Sequence, residues 1–271
     1  MSFKIILMKK ISKSIRVKIL EILYNGNASH LGTSMSCVEM LIAVYDSINL
    51  NKIIKKEADR SRILVSKGHA AAATYAVMNY FGLINNKNLS TYHQDNSLLC
   101  GHVSHKVDNV EHSTGALGHG MPVAVGCAVG LKAKGFNKSR SFAVCGDGEL
   151  QEGSIWEALL LAGHLKLDNF CLLVDYNKVS SITLTNKVSN LEPLKKKFEG
   201  FSCSCEIVDG HNVSQIKKSI INNMFNGKPH VIICNTVKGK GVPFAENQPI
   251  WHYKTLDKKL FLEAKKYLKN K

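Results

Sequence analysis

A strand, a helix and a second strand are predicted by residues 141–177, SFAVCGDGELQEGSIWEALLLAGHLKLDNFCLLVDYN. The runs 141–145 and 170–174 are short and apolar, and each ends at glycine or a polar residue, as buried strands do. Residues 154–165 between them have the length of a helix. A strand, a crossover helix and a second strand need about this much chain, so we expect two parallel strands side by side.

The same alternation of strand and helix extends outward from this unit. A helical stripe of apolar residues covers 11–23, a second helix follows Ser36, and Ser36 with Glu39 has the spacing of a capping box. Further apolar runs predict three more strands and two more helices: strands at 62–65, 205–208 and 231–237, and helices at 70–80 and 214–225. This order predicts an α/β fold, a doubly wound parallel sheet with helices on both faces. We expect one domain over residues 1–253 and a basic tail over 254–271.

Composition narrows the class of protein. With 271 residues and 45% apolar content the chain can bury a sizeable core, which excludes disordered, collagen-like and small disulfide-stapled proteins. The formal charge of +15 suits an anionic ligand, a nucleic acid, an acidic partner or simply a solvated lysine-rich surface, and charge alone does not choose among them. The tail carries seven lysines and two acidic residues but no nucleic-acid-reading motif, so we expect it to form a solvated helix or to dock on a partner.

Cysteine usage and hydropathy indicate the compartment. The eight cysteines include no C-x-x-C pair, and four lie in apolar runs, which favours buried reduced thiols. No apolar stretch approaches ~18 residues, and the N-terminal apolar run is too short for a signal peptide. We therefore expect a cytoplasmic protein without a membrane segment.

Two polar residues follow the central strands. Asp147 comes after the first strand and Asn177, thirty residues later, after the second, so their side chains should face one another at one edge of the sheet. One carboxylate and one amide oxygen suit a hard cation such as Mg²⁺ or Ca²⁺, and the backbone carbonyl of Val179 is a plausible third ligand. Backbone N–H groups where Gly148 opens a helix would face an anion, and a diphosphate fits there.

At these residues the chain resembles the transketolase family. Gly146-Asp147-Gly148 followed by Asn177 is similar to the thiamine-diphosphate-binding motif, and further ordered blocks extend the resemblance over nearly the whole chain. These blocks are 29–32 (SHLG), 66–70 (SKGHA), 101–102 (GH), 113–118 (STGALG), 149–153 (ELQEG), 209–211 (DGH) and 237–242 (VKGKGV). Residues 246–252, ENQPIWH, resemble the end of the N-terminal section of split, two-chain transketolases.

The resemblance implies a thiamine-diphosphate-binding fold, its diphosphate-binding domain, and a role for each matching residue. Asp147, Asn177 and the Val179 carbonyl would hold the metal. Thiamine diphosphate would be contacted by His69, Gly115, Leu117, Gly148, Glu149, Asn177 and His252. The active-site histidines would be His30, His69, His102 and His252, which bond to substrate hydroxyl and carbonyl oxygens, and Glu152 would lie behind them near an interface between subunits.

The implied activity is ketol transfer by one subunit of a two-chain enzyme. In the family, the glutamate that activates the coenzyme and most phosphate-binding arginines belong to the following, pyrimidine-binding domain. We therefore expect an inactive subunit that needs a separate C-terminal section, in an α₂β₂ assembly acting on sugars or sugar phosphates in carbohydrate metabolism such as the pentose phosphate pathway. A non-catalytic assembly partner and one subunit of a decarboxylative ketol or acyl transferase remain alternatives. Ser29, Ala116, His119 and Lys178 depart from the family pattern, which suggests a divergent member with other substrates.

Overall fold

The computed structural model describes residues 3–270, with the side chains of residues 6–270. Met1, Ser2 and Lys271, which the predicted domain and tail include, lie outside the described residues. Five parallel strands form one sheet in the order β1-β2-β3-β5-β4. The strands are β1 (Arg62–Val65), β2 (Ser141–Gly146), β3 (Phe170–Tyr176), β4 (Ser204–Asp209) and β5 (His230–Asn235). All five predicted strands are therefore confirmed.

Twelve α-helices surround the sheet in the described part of the chain. They are α1 (Phe3–Asn25), α2 (Leu31–Ser36), α3 (Val38–Tyr45), α4 (Leu50–Ile54), α5 (Ala71–Tyr80), α6 (Asn86–Leu89), α7 (Gly120–Ala133), α8 (Gly153–His164), α9 (Thr185–Val188), α10 (Leu194–Gly200), α11 (Val213–Asn223) and α12 (Lys258–Asn270). Three 3₁₀ turns cover Gly68–Ala70, Gly148–Gln151 and Pro249–His252.

Helices cover both faces of the sheet because its central strands are apolar on both sides. In β2, Phe142 and Val144 join a core with α1, α3, α5 and α11, whereas Ala143 and Cys145 join a second core with α7, α8 and α10. Successive side chains of a strand point to opposite faces, so a continuously apolar strand needs two covering layers. The predicted doubly wound architecture is confirmed. No helix within residues 3–270 is long and apolar enough to cross a membrane.

The capping box predicted at Ser36 is wrong. Ser36 ends α2, and its hydroxyl donates to the Asp175 carboxylate at 2.5 Å, with the Thr33 carbonyl as an alternative acceptor at 3.0 Å. Glu39 turns away from the helix start and binds the Arg16 guanidinium through both oxygens. Both side chains are buried, so tertiary partners outweigh the local capping bonds.

The basic tail contains α12, which packs against α1. Phe261, Ala264 and Leu268 form an apolar stripe along it; Ala264 and Leu268 are buried, and the Phe261 ring stacks on Tyr24 with centroids 4.3 Å apart. The tail helix is thus not a fully solvated one, because its apolar residues recur at helical spacing and face α1.

Candidate active site

A cleft of about 390 Å³ lies at the carboxyl ends of the central strands. Residues that follow β1, β2, β3 and β5 line it, as expected for a parallel α/β sheet. The cleft brings together all the residues predicted for the site: His30, His69, His102, Gly115, Leu117, Asp147, Gly148, Glu149, Glu152, Asn177, Val179 and His252. Their positions agree with one binding site, and their individual roles stay predictions.

Asp147 and Asn177 follow neighbouring strands, since Gly146 pairs with Asp175 across β2 and β3. The Asp147 side chain is buried, and its two oxygens accept from the N–H groups of Gly148 at 2.8 Å and Lys178 at 2.5 Å. The amide oxygen of Asn177 accepts from Val179 N–H at 3.1 Å. The turn after each strand thus holds these side-chain oxygens in place.

The Asp147 carboxylate lies in a position that favours a bound cation. Burial, and next the charge of Asp175, raise the pKa of Asp147 to about 6. None of the described side chains forms an ion pair with it. Within residues 3–270 no group of three or more His, Cys, Asp or Glu side chains is arranged to hold a metal. A metal held by one carboxylate, one amide and one carbonyl would therefore complete its shell with ligand or water oxygens, as Mg²⁺ commonly does.

Lys238 places a cation at the same end of the cleft. Its ammonium donates to the carbonyls of Val179 at 3.1 Å and Ser180 at 2.6 Å. Burial, and next the charge of Lys67, lower the pKa of Lys238 to about 8. Its side chain passes so close to Gly32 that a Cβ there would lie 3.1 Å from Lys238 Cγ. The sequence marks Lys238 only as a polar residue after a strand.

Beneath the cleft lies a buried ion pair that the sequence also leaves without a role. The Lys67 ammonium contacts the Asp175 carboxylate, and the two side chains are 1% and 0% exposed. Asp175 also accepts hydrogen bonds from the hydroxyls of Ser36 and Thr236. Burial opposes both charges, but each partner outweighs it, so the pKa of Lys67 is raised and that of Asp175 is lowered. Both groups therefore stay charged, and Asp175 keeps a negative charge near Asp147.

The four predicted histidines form one cluster. The ring centroid of His30 lies 5.7 Å from that of His69, 5.3 Å from His102 and 5.2 Å from His252, and the rings of His69 and His252 are 5.1 Å apart. His30 reaches this position from the left-handed region, with φ 71°, and its N–H donates to the His252 carbonyl at 3.2 Å. The loop between α1 and α2 is thus tied to the 3₁₀ turn near residue 252.

The imidazoles of this cluster are neutral at physiological pH. Burial comes first among the causes: with neighbouring positive groups it lowers the pKa of His30 to about 4 and that of His252 to about 3. The pKa of His69 falls well below its usual value, and burial lowers that of His102. A neutral imidazole offers one N–H donor and one acceptor nitrogen. The cluster can therefore both donate to a substrate oxygen and accept a hydroxyl proton.

Glu149 lines the cleft, yet its carboxylate is turned into the protein. It accepts from the Ser66 hydroxyl, from Gly118 N–H at 3.0 Å and from Gly146 N–H at 3.3 Å. Burial raises its pKa. Gly118 adopts φ 80°, and a Cβ there would lie 2.7 Å from Glu152 Cβ. Glu149 therefore joins the end of β1, the end of β2 and the loop that carries Gly115 and Leu117.

The helix predicted at 154–165 is confirmed as α8, but Gly148 does not open it. Gly148–Gln151 is a 3₁₀ turn, Glu152 is extended, and α8 starts at Gly153. This break lets Glu149 turn inward while Gly148 stays open to the cleft, with no atom within 4 Å of a Cβ built there. Residues 180–182 also line the cleft and were not anticipated, because short polar loops carry no periodic signal.

The raised pKa of Asp147 predicts a pH-dependent metal site. Below about pH 6 the carboxyl is protonated and cannot ligate, so the affinity for Mn²⁺, added without diphosphate, should fall up to about tenfold per pH unit. Above that value the affinity should level off. Free Mn²⁺ can be followed by electron paramagnetic resonance between about pH 5 and about pH 7.5. Asp147→Asn should remove the dependence, and a wild-type affinity that is flat over this range would contradict the assignment.

Comparison with known proteins finds a family model and several proteins that are similar to this chain. Residues 7–269 match the family model described as the transketolase thiamine diphosphate binding domain. The chain is similar to one subunit of the apulose-4-phosphate transketolase of Actinobacillus succinogenes, with 40% identity over 91% of this chain and 90% of that one. It is 32% identical to the 6-deoxy-6-sulfo-D-fructose transketolase subunit SqwG of a Clostridium species, over 92% of each chain.

Longer proteins match over part of their length. The transketolase of Rattus norvegicus is 29% identical over 93% of this chain, which spans 40% of that protein. A solved structure, the transketolase of Campylobacter jejuni, matches with a TM-score of 0.86 and 28% identity, over 99% of this chain and 43% of that chain.

Proposed function

Because the chain belongs to the transketolase family and carries its thiamine diphosphate binding domain, we propose that it is the diphosphate-binding subunit of a two-chain transketolase. The enzyme would transfer a two-carbon ketol unit from a ketose donor to an aldose acceptor, with thiamine diphosphate and Mg²⁺. The observation that carries this proposal is the cleft in which the buried Asp147 and Asn177 lie beside four neutral imidazoles.

The residues present fit the cofactor and its metal. Asp147, Asn177 and the Val179 carbonyl would hold Mg²⁺. In the structure that carbonyl accepts from the Lys238 ammonium at 3.1 Å, so metal binding would require this flexible side chain to turn away, and its positive charge would then serve a diphosphate. The open backbone at Gly148 and Gly115 leaves room for the same group, and Leu117 and Ile182 offer apolar contacts. Bound there, thiamine diphosphate would supply the nucleophilic carbon that attacks a ketose carbonyl.

The histidine cluster would perform the proton chemistry of the substrate. Cleavage between C2 and C3 of a ketose requires that a proton leave the C3 hydroxyl, and a neutral imidazole can accept it. A second imidazole of the cluster can donate its N–H to the carbonyl oxygen, where negative charge develops. We assign these tasks to His30, His69, His102 and His252 as a group. Glu152, at the edge of the cleft, would lie near the interface with another subunit.

A separate partner chain is part of the proposal. The similar proteins of Actinobacillus succinogenes and Phocaeicola vulgatus are each named as one subunit of a transketolase, and this chain matches most of their length. This supports a division of the enzyme into two chains. The partner would be a C-terminal, pyrimidine-binding section, assembled as α₂β₂. The natural donor would be a sugar or sugar phosphate, and the substrates named for the relatives, apulose 4-phosphate and 6-deoxy-6-sulfofructose, are not the common pentose phosphates.

Reconstitution tests the proposed function. The purified chain with thiamine diphosphate and Mg²⁺ should give no sustained ketol transfer, and adding the product of a neighbouring partner gene should restore it. Donors to compare are xylulose 5-phosphate, apulose 4-phosphate, 6-deoxy-6-sulfofructose and pyruvate. Turnover of pyruvate alone would favour a decarboxylative transferase instead. If calorimetry detects no thiamine diphosphate binding even with the partner present, a non-catalytic assembly role replaces the proposal.

A further inference from the structure

A hydrogen-bonded series of three polar side chains, Arg16, Glu39 and His211, runs from α1 to the back of the cleft; Arg16 and Glu39 are buried and His211 is partly exposed. The Arg16 guanidinium binds both oxygens of Glu39, at 2.6 and 2.7 Å, and donates to the Met35 carbonyl at 3.0 Å. Arg16 is 6% exposed and Glu39 4% exposed. Burial would raise the pKa of Glu39, but Arg16 and then His211 lower it to about 2, so the carboxylate stays charged. Removing either partner would leave a buried charge.

His211 continues this hydrogen-bonded series toward the cleft. Its Nε2 accepts the N–H of Val237 at 2.9 Å, so the ring proton lies on Nδ1, which donates to Glu39 at 3.1 Å. Val237 directly precedes Lys238, whose ammonium lines the cleft. The ring of His211 therefore fixes the backbone of the segment that delivers this lysine.

The Arg16 end of this hydrogen-bonded series holds the turn that carries His30. Met35, bonded to Arg16, belongs to α2, and His30 stands at the start of that helix. Gly239 N–H donates to the Gly32 carbonyl at 2.8 Å, which joins α2 to the Lys238 segment. The buried Arg16 thus contacts α2 directly and the Lys238 segment through Glu39 and His211. Both elements carry residues of the cleft.

We propose that Arg16, Glu39 and His211 are positioning residues that hold the Lys238 segment and the His30 turn in the geometry needed to bind a diphosphate ligand. This inference rests on the proposed function, since it assumes that the cleft binds thiamine diphosphate. None of the three residues lines the cleft, so they act through Val237 and α2. Their effect is on the placement of cleft groups, not on contact with the ligand.

Two substitutions at one position test the proposal. In His211→Gln the amide can accept from Val237 and donate to Glu39, whereas His211→Leu removes both bonds. Calorimetric titration of the full chain with thiamine diphosphate at saturating Mg²⁺ should give a Kd raised at least about tenfold for His211→Leu, and a Kd within about threefold of wild type for His211→Gln. Hydrogen exchange at residues 237–241 should be faster only in His211→Leu.

A matched control separates positioning from general stability. His230 likewise has both ring nitrogens bonded, to the hydroxyls of Ser204 and Ser219 at 2.9 Å each, but it is fully buried and starts β5 at the end of the sheet away from the cleft. His230→Leu should lower the melting temperature and leave the Kd unchanged. An unchanged Kd and unchanged exchange in folded His211→Leu would overturn the proposal.

Two further outcomes are decisive. If His211→Leu does not fold, His211→Ala replaces it, because it removes the same two bonds without placing a branched side chain there and leaves the Arg16–Glu39 pair intact; a several-fold weaker affinity supports the proposal and a wild-type affinity overturns it. If wild type binds no thiamine diphosphate on its own, the titrations are repeated with the partner chain, and absence of binding there too means that the proposed function fails. The exchange rates at residues 237–241 then still decide whether His211 positions this segment.

Discussion

Asp147→Asn should weaken the binding of Mg²⁺ by at least about 100-fold and thereby remove metal-dependent binding of thiamine diphosphate. The carboxylate is the only acidic side chain among the predicted metal ligands, and Asn177 and the Val179 carbonyl are neutral oxygen donors. A neutral amide at position 147 leaves the site without the charge that offsets dehydration of the cation. Calorimetry with Mg²⁺, with and without thiamine diphosphate, measures the loss.

The same variant should still fold. Burial raises the pKa of Asp147 to about 6, so removing the charge costs little in the metal-free protein. The amide oxygen can accept from only one of the N–H groups of Gly148 and Lys178, which should cost about 1–3 kcal/mol. Asp168→Asn provides a control of identical chemistry, because Asp168 lies at the opposite end of β3 and pairs with Lys132 at the surface. Wild-type metal affinity in folded Asp147→Asn would refute the assignment of this residue.

Lys67→Met should destabilise the protein by about 3–5 kcal/mol, because it leaves the Asp175 carboxylate buried without its counter-ion. For a chain of this size the melting temperature should fall by roughly 10 °C. Thermal and urea unfolding of the metal-free protein measure the change. The effect is large because Lys67 and Asp175 are 1% and 0% exposed.

A double variant distinguishes an unpaired charge from simple loss of packing. Lys67→Met with Asp175→Asn should recover most of the stability, since the amide oxygen can accept from one of the hydroxyls of Ser36 and Thr236 and the amide NH2 can donate to the other. Lys132→Met, which breaks a partly exposed ion pair with Asp168, should cost no more than about 1 kcal/mol. If the double variant is as unstable as Lys67→Met, the ion pair is not the source of the loss.

Apolar runs and residue spacing along the chain predicted the strands and the relative position of two site residues. The apolar runs gave the five strands, and the spacing of thirty residues placed Asp147 beside Asn177, because adjacent parallel strands end at one edge. The predicted capping box at Ser36, by contrast, was wrong because it depends on contacts between distant parts of the chain. Its two side chains have partners far away in the chain, Asp175 and Arg16, and no local motif reveals such partners.

The sequence by itself determined the sheet, its two apolar faces and the placement of Asp147 and Asn177 at its carboxyl edge, since these follow from side-chain periodicity and chain length. The histidines of the site came from the family resemblance. Only the tertiary structure decided which charges are buried and how they are paired. Lys67 with Asp175 and Glu39 with Arg16 and His211 are joined across long sequence separations. Their energetics depend on desolvation, which is a property of the packed surroundings and not of any residue alone.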